Sequence, residues 1–569
     1  MSRFIRRSID YFGLSGPTEL IGAALFSLFL LILGILNSLH YRFDADEPQH
    51  LHVIWSWTQG LVQYRDVFDN HMPLFHILLA PIGALIGERP TILHWMRFVI
   101  WPAHLIAVWA TYRIGSLLFS QRVGFWSVIL VASFPSYHCT SLEFRPDNLW
   151  APLWLVCLVV LLAGRLTARR ALVAGLLLGL CFGLSMKSTV LLISLLVSAL
   201  ALAFVARKNL KESIAPFVHR ALLFLFATTL VPVTIVIFFW IKGVWADFLN
   251  CVFAHQFLGH LFHRKQIFFA AASLLLLPVI IYVARCLIRT ASDFELGVRR
   301  AFVLLVTCFY LLVLRTFWPL IARDDYLPWY PLAFVLLTAA LLAASNYLEK
   351  SGQSASRIFG ILPVPAFLVV IELVVLCQTR PFWKDKTVDE TNLLRDVLSL
   401  TTRQDYVFDS KGETVFRQRC FRPILETITR KRIRRGLISD TAPQRCVETR
   451  TCLAATGMIE RFSPETREFL ERNYLPIAKD LRVAGVRLQE TSKNSKRCDF
   501  DIVIPAEYRV VARDGAATGT LDGSVYQGPR FLPAGRHTFE STSDSGDLIV
   551  LWARAVEHNF SPFSLASFR

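Results

Sequence analysis

The sequence predicts a polytopic α-helical membrane domain of about eleven transmembrane helices, followed by a soluble region that is first α/β and then β-rich. Three observations predict it. The 569-residue chain is 54% hydrophobic, with a mean hydropathy of +0.46, above what soluble domains carry. The apolar residues gather into runs near the ~20 residues needed to cross a bilayer. After residue 378 the composition changes to that of a soluble domain. The expected division is a membrane domain over 1–378 with a large first external loop at 39–96, a small α/β domain over 379–497, and a β-rich, sandwich-like domain over 498–569.

The basic N-terminus MSRFIRRSID precedes an apolar run at 18–38. That run is too long for a signal-peptide core and no small-residue cleavage site follows it, so it reads as a retained span. Further runs lie at 97–119, 123–140, 148–164, 171–186, 188–206, 220–241, 267–288, 301–318, 328–346 and 358–377. The stretch 72–88 holds Pro73 and Pro81 and is short for a span. It reads as a helix lying along the outer membrane surface.

Lys and Arg number 60 against 43 acidic residues, a formal net charge of +17. In a soluble protein that excess would suggest nucleic acid. Here it is topological. Alternate loops carry Arg3, Arg6 and Arg7; Arg113 and Arg122; Arg165, Arg169 and Arg170; Arg207, Lys208, Lys211 and Arg220; Arg285, Arg289, Arg299 and Arg300; Lys350 and Arg357. The positive-inside rule makes these loops cytoplasmic, with the N-terminus. An odd number of spans then puts the tail after 378 on the periplasmic or extracytoplasmic side of the cytoplasmic (inner) membrane. Membrane lipids are expected partners and nucleic acid is not.

In the tail, DYVFD and CLAAT read as short strands, and ETITRKRIRRGLI and SPETREFLERNYL as helices. Ser463 is placed to cap the latter. DFDIVIP, YRVVARDG, GTLDGSVYQG, RHTFES and DLIVLWARAV read as strands between turn residues. Of the eleven cysteines, Cys420, Cys446, Cys452 and Cys498 lie in the tail. An extracytoplasmic tail permits one or two disulfides among them, with connectivity open.

The stretch 41–76 holds five acidic residues, Asp44, Asp46, Glu47, Asp66 and Asp69, and the histidines His50, His52, His71 and His76. The other external loops bring Arg145 and Asp147, Lys187, and then Arg323, Asp324, Asp325 and Tyr326. A carboxylate with several cations suits an enzyme that deprotonates a hydroxyl while holding an anionic leaving group. Each residue also has a plainer reading. Asp46 and Glu47 fit a helix start or cap, and Asp44 rivals Asp46 as the base. Asp147 fits a first helical turn, with Arg145 as its ion-pair partner. Lys187 could snorkel, His71 could support the loop, and Arg323 could contact headgroups or Asp324. His255, His260 and His263 match no strong metal motif and read as interfacial. Glu372, inside the last apolar run, is a functional candidate by its setting. Arg430–Arg435 reads as a solvated or headgroup-facing helix.

The first loop resembles that of lipid-dependent, GT-C-type glycosyltransferases, the protein O-mannosyltransferase-like and bacterial aminoarabinose-transferase-like group. Asp46–Glu47 matches the group's early acidic pair. Gly60 and QYRDVFDNHMPL at 63–74 resemble its "G…PYRDFF…HPPL", with His71 and Pro73 matching and Met72 in place of a commoner proline. Arg145–Pro146–Asp147 resembles its RPD, and RDDYLPWYP at 323–331 its late motif. The resemblance covers roughly 15–345 and implies a GT-C-like fold. It also implies a sugar donor on polyprenyl phosphate and an inverting single displacement. By resemblance Asp46 is the base, with Glu47 supporting it or contacting the sugar. His71, Arg145, Lys187, Arg323 and Tyr326 would serve the lipid phosphate, Arg323 foremost for its planar fork. Asp44 and Asp147 would be supporting residues. The acceptor would be a glycolipid, a polysaccharide or a protein. No dedicated metal-ligand set is present and no cofactor is expected; a divalent ion would have Asp46, Glu47 and Asp147 to act through.

Two other classes fit part of the pattern. A transporter or flippase of lipid-linked sugar would show repeated halves and interrupted helices at the midplane, and no internal repeat is evident. A non-catalytic scaffold would not need the intact acidic pair.

Overall fold

A computed structural model describes residues 3–206, 214–256, 264–318, 320–350, 363–489, 496–514, 516–542 and 547–565. Arg207, Lys208, Lys211, His260, His263 and Arg357 fall outside them. The chain divides into two units. One comprises Met1–Arg42, Asn70–Leu78 and His94–Thr387; the other comprises Phe43–Asp69, Leu79–Leu93 and Val388–Arg569.

The first unit is a helical, multi-pass membrane domain. Among the described residues, six helices are long and apolar enough to cross a membrane: Pro17–His40, Ile92–Leu118, Ser188–Val205, Pro216–Ile241, Phe294–Phe317 and Tyr330–Tyr347. Leu74–Ile86, Asp147–Leu162 and Val364–Thr379 are shorter apolar helices. Their lipid-ready character shows in exposed Leu25, Leu28, Leu222, Phe226 and Trp240, which a water-soluble fold would bury. Polar residues set the ends. Ser120 accepts from the Val123 amide at 3.2 Å, Thr167 from Arg170 at 3.3 Å and Asp293 from Leu296 at 3.2 Å, each starting a helix with a side-chain cap. The run expected at 123–140 as one span is two helices, Gln121–Ser133 and Pro135–Thr140. Phe134, before Pro135, is extended at φ −65° and ψ 120°, as a residue preceding proline prefers.

Helix Ala168–Leu184 packs on Ile214–Ile241 through glycines one turn apart. A Cβ on Gly175 would stand 2.2 Å from the Phe224 carbonyl oxygen, and one on Gly179 would stand 2.8 Å from that of Thr228. Small residues every fourth position let membrane helices meet backbone to backbone.

The second unit carries an eight-stranded sheet and a four-stranded one. Its strands are β1 (Tyr406–Phe408), β2 (Gln418–Arg419), β3 (Leu453–Ala455), β4 (Tyr474–Ala478), β5 (Leu481–Arg487), β6 (Arg497–Ile502), β7 (Ala506–Ala512), β8 (Gly519–Leu521), β9 (Ser524–Val525), β10 (Arg530–Leu532), β11 (Gly535–Ser541) and β12 (Leu548–Trp552). The larger sheet runs β10-β7-β12-β5-β3-β1-β2, with β4 also on β5; the smaller runs β6-β11-β8-β9. β1 pairs in parallel with β2 and β3, and the other pairs are antiparallel.

The division expected at 497/498 does not separate two cores. β12 inserts between β5 and β7, with Val550 opposite Val486 on one side and Val510 on the other. Val397, Phe408, Leu453, Val483, Phe500, Val550 and Leu551 share one buried cluster. LIVLW is buried at all five positions. Such a strand needs a neighbour on each edge and cover on each face, and the residues after 498 cannot supply both alone.

The loop expected as part of the membrane domain is also divided. Phe43–Asp69 belongs to the second unit, whereas Asn70–Leu78 belongs to the first.

Candidate active site

In the second unit the acidic stretch begins a helix, Asp46–Thr58. Asp44 accepts from the Asp46 amide at 3.1 Å, and Glu47 reaches back to accept from the Asp44 amide at 2.8 Å. The Glu47 amide in turn donates to the Asp44 carbonyl at 3.0 Å. These bonds satisfy amides that a helix start leaves open. Glu47 is fully buried by this role. Asp46 is left with its side chain 19% exposed and paired with the Lys411 ammonium.

Lys411 was not singled out from the sequence, because it lies 365 positions away in the tail. Its loop, DSKGETVFR, is tightly tied. Buried Asp409 accepts from the amides of Gly412 at 2.8 Å and Thr414 at 3.1 Å, from Thr414 Oγ1 at 2.6 Å and from Arg419 Nε at 2.6 Å. Glu413 accepts from the Lys411 amide at 2.7 Å and from the Ser410 hydroxyl. His52, on the Asp46 helix, bonds Val415 O at 2.7 Å. Gly412 sits at φ +91°, and a Cβ there would press on His52 at 3.1 Å, so glycine suits both the backbone and the contact. Burial and the nearby Arg461 bring the Lys411 ammonium down to about 8, against Asp44, Glu426 and Glu413. Burial likewise lowers His52. Burial would raise Asp409, but Arg419, His52 and its hydrogen bonds hold it below the usual carboxylate range.

The QYRDVFDN run folds back on this helix. Buried Asp69 accepts from Gln49 Nε2 at 3.2 Å and Gln63 Nε2 at 2.7 Å. Tyr64, at φ +76°, closes a turn to Val67 O at 2.8 Å.

In the first unit the structure gathers Arg145, Asp147 and Lys187 with Asp324 and Asp325. The last two stood in the RDDY motif without an assigned role. Lys187 Nζ lies 2.9 Å from Asp147, 2.7 Å from Asp324 and 2.5 Å from Asp325. Arg145 is 3.8 Å from Asp147 and 3.4 Å from Asp324. The Asp325 carboxylate also accepts from the Ala322 amide at 2.7 Å, and its carbonyl accepts from Tyr310 Oη at 2.5 Å. Burial alone would lower Lys187, but the three carboxylates overcome it and raise it. Burial would raise Asp324, but Arg145 and Lys187 hold it down. Asp325 is pushed up by burial and by Asp324 despite Lys187. Two cations thus face three carboxylates, which makes the cluster's cations anchors of three loops as well as candidate phosphate ligands.

Among the described residues, Asp147, Asp324 and Asp325 are the one group of three whose ligand atoms lie within 4.8 Å of one another. This differs from the trio Asp46, Glu47 and Asp147. The Lys187 ammonium stands within hydrogen-bond reach of all three carboxylates, where a cation would otherwise sit.

Arg323 pairs with buried Glu143 at 3.4 Å while its side chain stays 39% exposed. Tyr326 lies in a short 3-10 turn, Asp324–Tyr326, with Arg315 5.5 Å from its ring centre. His71 is half-buried in the Asn70–Leu78 segment. His255 is buried. Glu372 accepts from Ser133 Oγ at 2.6 Å, a bond that fits a structural role. Cys420 and Cys446 bring their Sγ atoms to 3.5 Å.

Comparison with known proteins agrees with this architecture. Residues 70–236 match the model of the dolichyl-phosphate-mannose-protein mannosyltransferase family. The fold is similar to that of ArnT from Cupriavidus metallidurans in the apo state, with a TM-score of 0.54 at 12% identity over 81% of this chain and 97% of that one. It is similar to the same protein bound to undecaprenyl phosphate, with a TM-score of 0.53 at 12% identity and the same coverage. The oligosaccharyltransferase of Archaeoglobus fulgidus in the apo form gives 0.48 at 12% identity, over 80% of this chain and 72% of that one. No curated protein matches. Residues 70–236 are thus similar to that mannosyltransferase family, and the fold is similar to that of ArnT.

Proposed function

We propose that the protein moves one sugar from a polyprenyl-phosphate carrier to a hydroxyl- or phosphate-bearing acceptor at the outer face of the cytoplasmic membrane. Asp46 takes the acceptor proton as the acceptor oxygen attacks the anomeric carbon. The bond to the lipid phosphate breaks with inversion, and polyprenyl phosphate leaves. The observation that carries this reading is the division of labour among the three carboxylates: Asp44 and Glu47 serve the helix start, while the Asp46 side chain, 19% exposed, pairs with the Lys411 ammonium. A first-turn carboxylate is also favoured in its ionised form by the helix dipole.

Arg323 is the foremost partner for the lipid phosphate, because it combines a guanidinium fork with exposure. Tyr326 and His71 are its companions, and Arg145 and Lys187 contribute positive charge from within their carboxylate cluster, Asp147 included. The undecaprenyl phosphate bound to ArnT supports a polyprenyl-phosphate donor here. The acceptor class is a glycolipid, a polysaccharide or a protein. About eleven spans, a cytoplasmic N-terminus and an extracytoplasmic second unit complete the reading.

The test is transfer from radiolabelled undecaprenyl-phosphate hexose and pentose to a membrane extract. Asp46→Asn should lose about 10²-fold or more, and Glu47→Gln less. Wild-type transfer by both variants would overturn the assignment of the acidic pair. Carrier movement across vesicles without transfer would favour a flippase instead. A reporter fused after Arg380 that proves cytoplasmic would reverse the topology.

A further inference from the structure

Three features of the second unit converge on one lysine. Lys411 is almost fully buried, at 8% exposure, and burying an ammonium costs several kcal/mol unless it is matched. The loop that presents it is held by the Asp409 and Glu413 bonds and by the His52 link to Val415. Its ammonium ends on Asp46, and of the two side chains that of Asp46 is the more exposed, 19% against 10%. The ion pair is therefore asymmetric. Lys411 is the more enclosed partner and Asp46 the less enclosed.

We propose that Lys411 is a positioning residue for the Asp46 carboxylate, so that the C-terminal region supplies a working part of the catalytic machinery. The inference rests on the reading of Asp46 as the base. The ammonium fixes the carboxylate's direction and keeps it ionised before the acceptor arrives. An opposite charge this close typically lowers an aspartate pKa by about 1–3 units. The other charged groups facing the pair are Asp44 beside Asp46, Glu413 in the loop, Glu426 at the start of Thr427–Arg434, and Arg461. Three of these are acidic, and Arg461, the other cation, disfavours the buried ammonium.

The experiment measures initial rates of transfer against pH, using radiolabelled undecaprenyl-phosphate hexose and pentose with a membrane extract. It compares wild type, Asp46→Asn, Lys411→Met, Lys411→Gln and Lys411→Arg in full-length protein. Lys411→Met and Lys411→Gln should lower the maximal rate about tenfold or more, with little change in donor KM. Both should move the acid limb of the profile upward by about one pH unit or more, because a carboxylate without its ammonium ionises later. Lys411→Arg should keep the limb in place. Unchanged rates and an unmoved limb in the Met and Gln variants would overturn the proposal. So would loss of a monodisperse, folded protein in both, which would make the pair structural. Full transfer by Asp46→Asn would instead remove the base assignment itself.

Discussion

Lys187 Nζ stands 2.7 Å from Asp324 Oδ2 and 2.9 Å from Asp147 Oδ1, so one ammonium ties together three segments that lie far apart in the chain. Asp147 opens helix Asp147–Leu162, Lys187 sits between helices Ala168–Leu184 and Ser188–Ala206, and Asp324 follows Phe294–Phe317.

Removing that ammonium leaves buried carboxylates facing one another. Lys187→Met should destabilise the protein by about 3–5 kcal/mol, and Lys187→Met with Asp324→Asn should recover part of the loss. Thermal unfolding in detergent, followed by tryptophan fluorescence, reads both. A Lys187→Met protein as stable as wild type would leave the lysine with a ligand-binding role only.

The glycine seam is testable with a single methyl group. Gly175→Ala places Cβ against the Phe224 carbonyl and should cost about 1–3 kcal/mol by overpacking. Gly16→Ala is the control, since a Cβ there meets nothing within 4 Å. The ratio of monodisperse to aggregated protein after solubilisation distinguishes them.

Asp409 links stability to pH. Its folded pKa is held below the unfolded value of ~3.9 by Arg419, His52 and its hydrogen bonds, which together overcome burial. The stabilisation is therefore present above pH ~4 and is lost as pH falls through the folded value. Asp409→Asn should be the less stable protein at neutral pH, and the gap should narrow below pH ~4. Denaturant midpoints at pH 7 and pH 3 give the comparison.

The proposed extracytoplasmic tail places Cys420 and Cys446 in an oxidising compartment with their Sγ atoms 3.5 Å apart. Mass spectrometry of an unreduced digest should find their peptides joined, closing a 26-residue separation that is worth roughly 3.5 kcal/mol in the chain-entropy account. Cys420→Ser should release the Cys446 thiol to alkylating reagents under denaturing conditions. Fully alkylated, unlinked thiols in wild type would count against the oxidising side.

Much of the membrane unit's helical pattern was legible because apolar runs report on lipid directly. The helices lie where those runs lie, and the departure at 123–140 has a local cause in Pro135. The acidic pair was legible through its motif, and so were RPD and RDDY. Their division of labour was not. Adjacent in sequence, Asp46 and Glu47 differ because the turn at Asp44 draws Glu47 inward. The role of Asp324 and Asp325 was also hidden, since only packing brings them to Lys187.

The tail shows the same limit from the other side. Strand positions such as LIVLW could be read from β-branched and apolar runs. That LIVLW inserts between β5 and β7, and so joins the two expected domains in one sheet, could not, because strand partners are chosen by long-range burial. By itself the sequence determined a multi-pass membrane domain with an acidic pair early in its first loop. Only the tertiary structure decided that Asp46 meets Lys411, a pairing across 365 positions, because a buried charge takes its partner from whichever segment the fold brings beside it.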